Sequence, residues 1–197
     1  MSSVSLFKKL ARAHPSPKQV QRFLHELPYN REHKGETVRS AFSAYHHQEA
    51  HCLEACFLAA AILEQQGYPP QILTLDSSDN ICHGVFLFKT SRGYGSVGRS
   101  REPGLHGREP VYESVKALAL SYDDPMVDKT GSLIGYNVLN LDDSGCDWRT
   151  STRNVWKADR YTIEQGYLHL KLKKTDVDRL REQYFKKGPI LKRKYWW

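Results

Sequence analysis

The sequence predicts an α+β fold, and three features of its 197 residues carry that prediction. Apolar residues recur at helical spacing before residue 51, again over residues 52–67, and once more near the C-terminus. Short apolar runs bounded by glycine, proline and polar turns fill the middle of the chain. The two signals are segregated, helices first and an antiparallel sheet next, whereas a parallel sheet would alternate them.

The N-terminal helices come first. Residues 2–13 place Val4, Leu6, Phe7, Leu10 and Ala11 on one side, as a short amphipathic helix requires. Ser16-Pro17 is a helix start, a capping hydroxyl followed by proline at the first helical position. That helix carries Val20, Phe23, Leu24 and Leu27 and ends at Pro28. Residues 37–45 predict a third helix that packs Val38, Ala41 and Phe42.

The central helix begins at or just before Cys52 and runs to Gly67, a natural C-cap, with Pro69-Pro70 forbidding continuation. Leu53, Cys56, Phe57, Ala60 and Leu63 recur at helical spacing, so this helix is buried. A strand over residues 71–75 follows, then a polar turn over 76–80. Residues 83–89 and 93–99 predict a β-hairpin. With its turn centred on Ser91-Arg92, Lys89 pairs with Tyr94 and His83 falls opposite Ser100. A loop over 102–109, a helix over 112–122, strands over 136–141 and 167–172 and a final helix over 175–185 complete the reading, as one domain over 1–190.

The net charge of +7 is local. Residues 171–197 hold ten bases and three acids, while residues 1–170 are balanced. The basic character therefore belongs to the C-terminal part, ending in the basic aromatic tail 191–197, which is read as a solvated, frayed end. No nucleic-acid-binding motif accompanies the charge. No apolar run long enough to span a membrane occurs, and no secretory signal opens the chain. The expected location is cytoplasmic, with the four cysteines as thiols.

Chemistry concentrates at Cys52 and His83. A helix N-terminus favours a thiolate through its unpaired N–H groups and macrodipole, and Cys52 has that place. His83, opening the strand after next, is the candidate base. Cys56 lies a turn deeper and belongs to the core. Glu54 opposes the thiolate slightly, though residues two apart do not face each other on a helix. His46, His47 and His51 match no standard zinc spacing, so no metal is expected. Gln48, Arg101 and Arg108 are read as solvated surface side chains.

The order of these pieces resembles the transglutaminase-like superfamily, with its papain-like core: Cys52, the Ala59–Ala61 run, Gly67-Tyr68-Pro69, Ile72–Leu75 and His83. The match covers about residues 37–100. Gly104-Leu105, Arg108-Glu109-Pro110 and Ser121-Tyr122 are similar to bacterial members. The resemblance implies a Cys-bearing helix on an antiparallel sheet and a nucleophilic cysteine that needs no cofactor. It also implies an Asp after the His strand that orients the imidazole. This chain has Y-G-S-V-G-R-S there, with no carboxylate. Hairpin pairing makes Ser100 the expected orienter and Ser96 the reserve, with Asp76 and Asp79 as possible substitutes. The expected function is thiol acyl transfer or hydrolysis at an amide or ester bond of a peptide or smaller substrate. The alternatives are a binding module of the same fold without turnover and an interaction protein working through its basic tail.

Overall fold

A computed structural model describes residues 3–197. Ser2, the expected start of the first helix, lies outside them. Helix α1 spans Ser3–Ala13 and α2 spans Pro17–Glu26, with the Ser16 side chain accepting from the Gln19 N–H and Pro17 opening the first turn. Both bury their apolar stripe against the central helix.

Helix α3, Ala41–His47, starts later than its apolar pattern suggests. The N–H groups that a helix from residue 37 would leave to solvent or a cap have side-chain acceptors instead. Thr37 N–H donates to Glu32 (2.7 Å), Val38 to Asn154 (3.3 Å) and Arg39 to Glu54 (2.9 Å). These bonds keep residues 37–39 out of the helix, and Ser40 becomes the cap, accepting from Ser43 N–H at 3.1 Å.

Helix α4, Cys52–Leu63, buries every residue from Leu53 to Leu63. It is apolar all round except at Glu54, the signature of a helix inside a core rather than on a surface. A short 3-10 turn, Glu64–Gln66, follows, and Gly67 ends it at φ 86°.

Six antiparallel strands form the sheet: β1 Gln71–Ser77, β2 His83–Thr90, β3 Gly93–Val97, β4 Arg108–Tyr112, β5 Leu133–Asn140 and β6 Leu168–His169. Their order across the sheet is β4-β3-β2-β1-β5-β6. The α+β class holds, with the Cys-bearing helix packed on the sheet. Ile72, Phe86 and Phe88 face α4; Leu73, Leu75, Val85 and Leu87 face a second core built on α5 (Val115–Leu120) and Tyr122.

The β2–β3 register is the expected one, Lys89 opposite Tyr94, but the ladder ends at Phe86 opposite Val97. Gln21 of α2 ends it. Its side-chain amide donates to Gly98 O at 2.8 Å and its Oε1 accepts Gly98 N–H at 2.9 Å. With both polar groups of Gly98 taken by a helix, the chain leaves β2 there. His83 therefore has no β3 partner; it pairs with Leu75 of β1 on its other side.

Strand β4 replaces part of the expected loop 102–109. Its Pro110 is tolerated because β4 is an edge strand. The expected helix over 112–122 shortens to α5, capped by Ser114, and α6 (Asp123–Met126) follows. Helix α7, Trp156–Glu164, has no counterpart in the sequence reading; α8, Lys174–Lys187, matches the expected final helix. Among the described residues no helix is long and apolar enough to cross a membrane.

The tail is docked, not frayed. Tyr195 O accepts Glu109 N–H at 2.8 Å, Trp197 Nε1 donates to Ser96 O at 2.7 Å, and Trp196 is buried. Of the rings that give the tail the look of a free anchoring group, Trp196 and Trp197 are used inside the domain, while that of Tyr195 is exposed.

Behind α4, Trp148 is fully buried, its ring centroid 6.2 Å from that of Phe57 and its indole N–H donated to Asp142 at 3.2 Å. Trp148→Ala is expected to lower unfolding free energy by about 3–5 kcal/mol, read from urea unfolding with an unchanged m-value.

Candidate active site

Cys52 is the first residue of α4, half-buried, with His51 as the N-cap. The cap is reciprocal. His51 Nδ1 accepts Leu53 N–H at 3.2 Å, and the Glu54 carboxylate accepts His51 N–H at 3.1 Å. His51 Nε2 donates to Thr37 O at 2.9 Å. The imidazole is thus fixed at the start of the helix, next to the thiol.

Glu54 is completely buried and accepts from four groups: Asn30 Nδ2 (3.0 Å), Thr37 Oγ1 (2.9 Å), Arg39 N–H (2.9 Å) and His51 N–H (3.1 Å). An ionised carboxylate can accept that many, and helix N–H dipoles favour its charge. Burial pushes the carboxyl up, but the His51 charge and these hydrogen bonds outweigh burial and hold it below its ordinary value. Glu54 therefore does not oppose the site as expected. It lies 3.6 Å from His51 Nε2 and supplies that ring with a negative partner.

His83 is buried at the mouth of β2. It shares the parity of Val85 and Leu87, which pack on the α5 face, and its ring lies 6.3 Å from that of Tyr122. As the first residue of its strand it still lines the same two clefts as Cys52. Gly84 next to it faces α4, where a Cβ would lie 3.6 Å from Cys56 Sγ, so no side chain separates helix and strand at this point.

Burial would raise the Cys52 thiol. The hydrogen bonds from His51 and His83, and the charge on those rings, overcome it and bring the thiol down to about 5. His51 moves the other way: burial lowers it, but the hydrogen bond with Cys52 and the Glu54 and thiolate charges raise it to about 9. Both shifts favour moving the thiol proton onto an imidazole; in a protonated His51 ring Nδ1 carries a proton and no longer accepts from Leu53 N–H. Cys56 has no such partner, and burial pushes it well up.

The far nitrogen of His83 does not meet Ser100. It donates to Leu105 O at 2.7 Å, in the loop before β4. Ser100 is buried and lines the same cleft, but its Oγ accepts Glu102 N–H at 3.2 Å. The early end of the β2–β3 ladder removes the geometry that would have set serine against histidine. Ser96, the reserve, bonds Tyr122 Oη at 2.7 Å and accepts Arg108 N–H. Neither turn acid reaches the ring: Asp76 accepts from Cys82 Sγ at 3.4 Å, and Asp79 from Thr130 and Ile81 N–H. Gln48 is an exposed cap of α3, bonded to Tyr45 O, as a surface glutamine should be. His46 and His47 are exposed on α3 while His51 turns inward, so the three do not converge.

Two clefts meet at Cys52 and His83. One, about 170 Å³, runs past Tyr29, Ser100 and Leu105. The other, about 480 Å³, runs past Thr74, Ile134 and Tyr167. In the first, Tyr29 stands in the same lining as Cys52, and burial pushes its hydroxyl up to about 12, which keeps it protonated. That O–H is available to a developing oxyanion in this cleft.

No family model matches the chain, and no curated protein is similar to it.

Two outcomes test this geometry. The rate of Cys52 alkylation by iodoacetamide, followed by peptide mass spectrometry, should rise with pH through an inflection near 5, because the thiolate is the reacting form and its folded value is depressed. Cys56 should stay unlabelled over the same range, and Cys82, raised to about 11 by burial and by Asp76, should label slowly. Glu54→Gln leaves a neutral group where four donors converge and removes the partner of His51. Stability should fall by about 3 kcal/mol in urea unfolding, and the alkylation inflection should move up.

Proposed function

We propose that this chain is a cysteine enzyme of transglutaminase-like type, acting on an amide or ester carbonyl. The observation that carries the reading is the thiol at the first turn of a buried helix, lowered to about 5 between two fixed imidazoles and open to two clefts. Cys52 sulfur attacks the carbonyl carbon, and the carbonyl electron pair moves to oxygen, for which the Tyr29 hydroxyl in the same cleft is a donor. With Nε2 occupied by Leu105 O, His83 acts through Nδ1. It takes the thiol proton as the sulfur attacks and delivers it to the leaving amine or alcohol as the tetrahedral species collapses to a thioester. It then takes a proton from the water or amine that attacks the thioester, and the thiolate leaves. No step requires a cofactor.

A binding module of the same fold is the second reading. It is favoured by one observation: the far nitrogen of His83 ends on a neutral carbonyl rather than a carboxylate. A carbonyl orients the ring but stabilises an imidazolium less than a carboxylate does.

Turnover separates the two. Exposed to a small panel of p-nitrophenyl acyl esters and peptide anilides, the protein should give a burst of released product and an acyl adduct on Cys52, seen by mass spectrometry. Cys52→Ser should abolish both, and His83→Gln should slow acylation by about 100-fold or more. A Cys52 that alkylates quickly at pH 6 yet forms no acyl adduct on any of these would select the binding module.

A further inference from the structure

Arg108, expected on the surface, is wholly buried. Among the described residues no carboxylate pairs with it. Its five N–H groups are spent on oxygen atoms of two segments: Nη1 on His106 O (2.8 Å) and Gly107 O (3.3 Å), Nη2 on Gly104 O (2.7 Å) and Ser121 O (3.3 Å), and Nε on Ser121 Oγ (3.2 Å). Two rings cover the guanidinium, Tyr122 at 3.8 Å and Trp196 at 4.1 Å from their centroids. A buried cation without a counter-ion is costly unless its donors are satisfied and its faces meet π-electrons; here both conditions hold.

Three of the carbonyls Arg108 grips belong to Gly104, His106 and Gly107, and the residue among them is Leu105, whose own carbonyl accepts from His83 at 2.7 Å. Tyr122 adds a bond from its hydroxyl to His106 O at 3.0 Å. The tail closes the other side. Trp196 forms an antiparallel bridge with Arg108, and Trp197 N–H reaches Gly107 O at 3.4 Å. The fit over the loop is tight: a Cβ on Gly104 would stand 2.5 Å from Ile190 O and 3.2 Å from the Trp196 ring. Elements far apart in the chain therefore converge on one short loop that holds one imidazole.

We propose that Trp196 is a positioning residue for His83: its ring completes the clamp around Arg108, the clamp fixes the loop 104–107, and the loop holds the imidazole through the Leu105 carbonyl. The inference rests on the thiol–imidazole reading above. It assigns the C-terminal tail a role in the site rather than an affinity for an outside partner.

The test compares full-length Trp196→Ala, Trp196→Leu and Trp196→Phe with the unaltered protein. Leu keeps apolar cover without a π face, Phe keeps the face, and the pair carries the comparison where Ala does not fold. Two quantities are read below each variant's melting temperature: the pH profile of Cys52 alkylation, and the His83 ring 15N pattern, which distinguishes a single Nε2–H tautomer from a mixture. For Leu, and for Ala where it folds, alkylation at pH 6 should fall about tenfold and the tautomer pattern should become mixed. Phe should restore most of both. A lowered melting temperature with unchanged profile and tautomer in the Leu variant would show that the tail only stabilises the fold, and would overturn the proposal. The enzyme reading fails separately: in that case the unaltered protein shows no low inflection, or His83→Gln leaves the inflection where it was.

Discussion

A single buried negative charge, Glu54, ties the start of α4 to the rest of the molecule. Its carboxylate gathers donors from Asn30, Thr37, Arg39 and His51, so one side chain fixes both the 30–39 connection and the helix cap. Burying a carboxylate is unfavourable unless its lone pairs are filled, and here four donors fill them. Those bonds also keep residues 37–39 extended, which delivers Thr37 O to His51 Nε2. The helix cap beside the thiol and part of the positive charge on its first imidazole follow from this carboxylate.

The two imidazoles are then unequal partners of one sulfur. Each ends on a main-chain carbonyl at its far nitrogen, Thr37 O for His51 and Leu105 O for His83. A carbonyl selects the tautomer and leaves Nδ1 of each neutral ring as an acceptor, but it supplies only a dipole. His51 has in addition Glu54 at 3.6 Å. His51 thus has a fixed negative partner, and His83, which lines both clefts, is left to exchange protons with the sulfur and with whatever enters them. The carboxylate absent from the strand after His83 has a counterpart on the opposite side of the sulfur, three residues from the ring it serves.

Much of the frame is legible in the sequence. The helix from Cys52 to Gly67 shows itself by continuous apolar content and a glycine stop, and the β2–β3 register follows from a two-residue turn between alternating runs. Cys52 and His83 are legible for the same reason: they stand at element starts. What escapes the sequence needs a long-range partner. Ser100 faces His83 only if the ladder continues, and nothing near residue 98 reveals that Gln21 will take both polar groups of Gly98. Glu54 looks adverse because local charge rules do not show Asn30, Thr37 and Arg39 arriving around it. His51 groups with His46 and His47 as a metal candidate, although the sequence H-C-L-E places a capping imidazole before the cysteine and an acid at the third helical position. That pattern is a capping box with histidine in place of serine, and is the available signal. Arg108 carries no local sign of burial; its setting is made by Ser121, Tyr122 and Trp196.

The site is thus assembled from two sides by different physics. On the His51 side, a short-range device, a helix cap within four residues, sets geometry and charge together. On the His83 side no local device exists, because β3 departs early and leaves the strand mouth without a partner on that edge. A loop must then be held in space by tertiary contacts alone. A guanidinium is suited to hold it, since it can bind several carbonyls at once in a fixed plane while presenting two flat faces to aromatic cover. The cost is that its environment must be closed on every side, and the chain closes it with its last residues. The basic, aromatic character of the C-terminus, which by composition suggests an outward-facing grip, reflects in Trp196 and Trp197 the requirement of covering a buried cation and capping an edge strand.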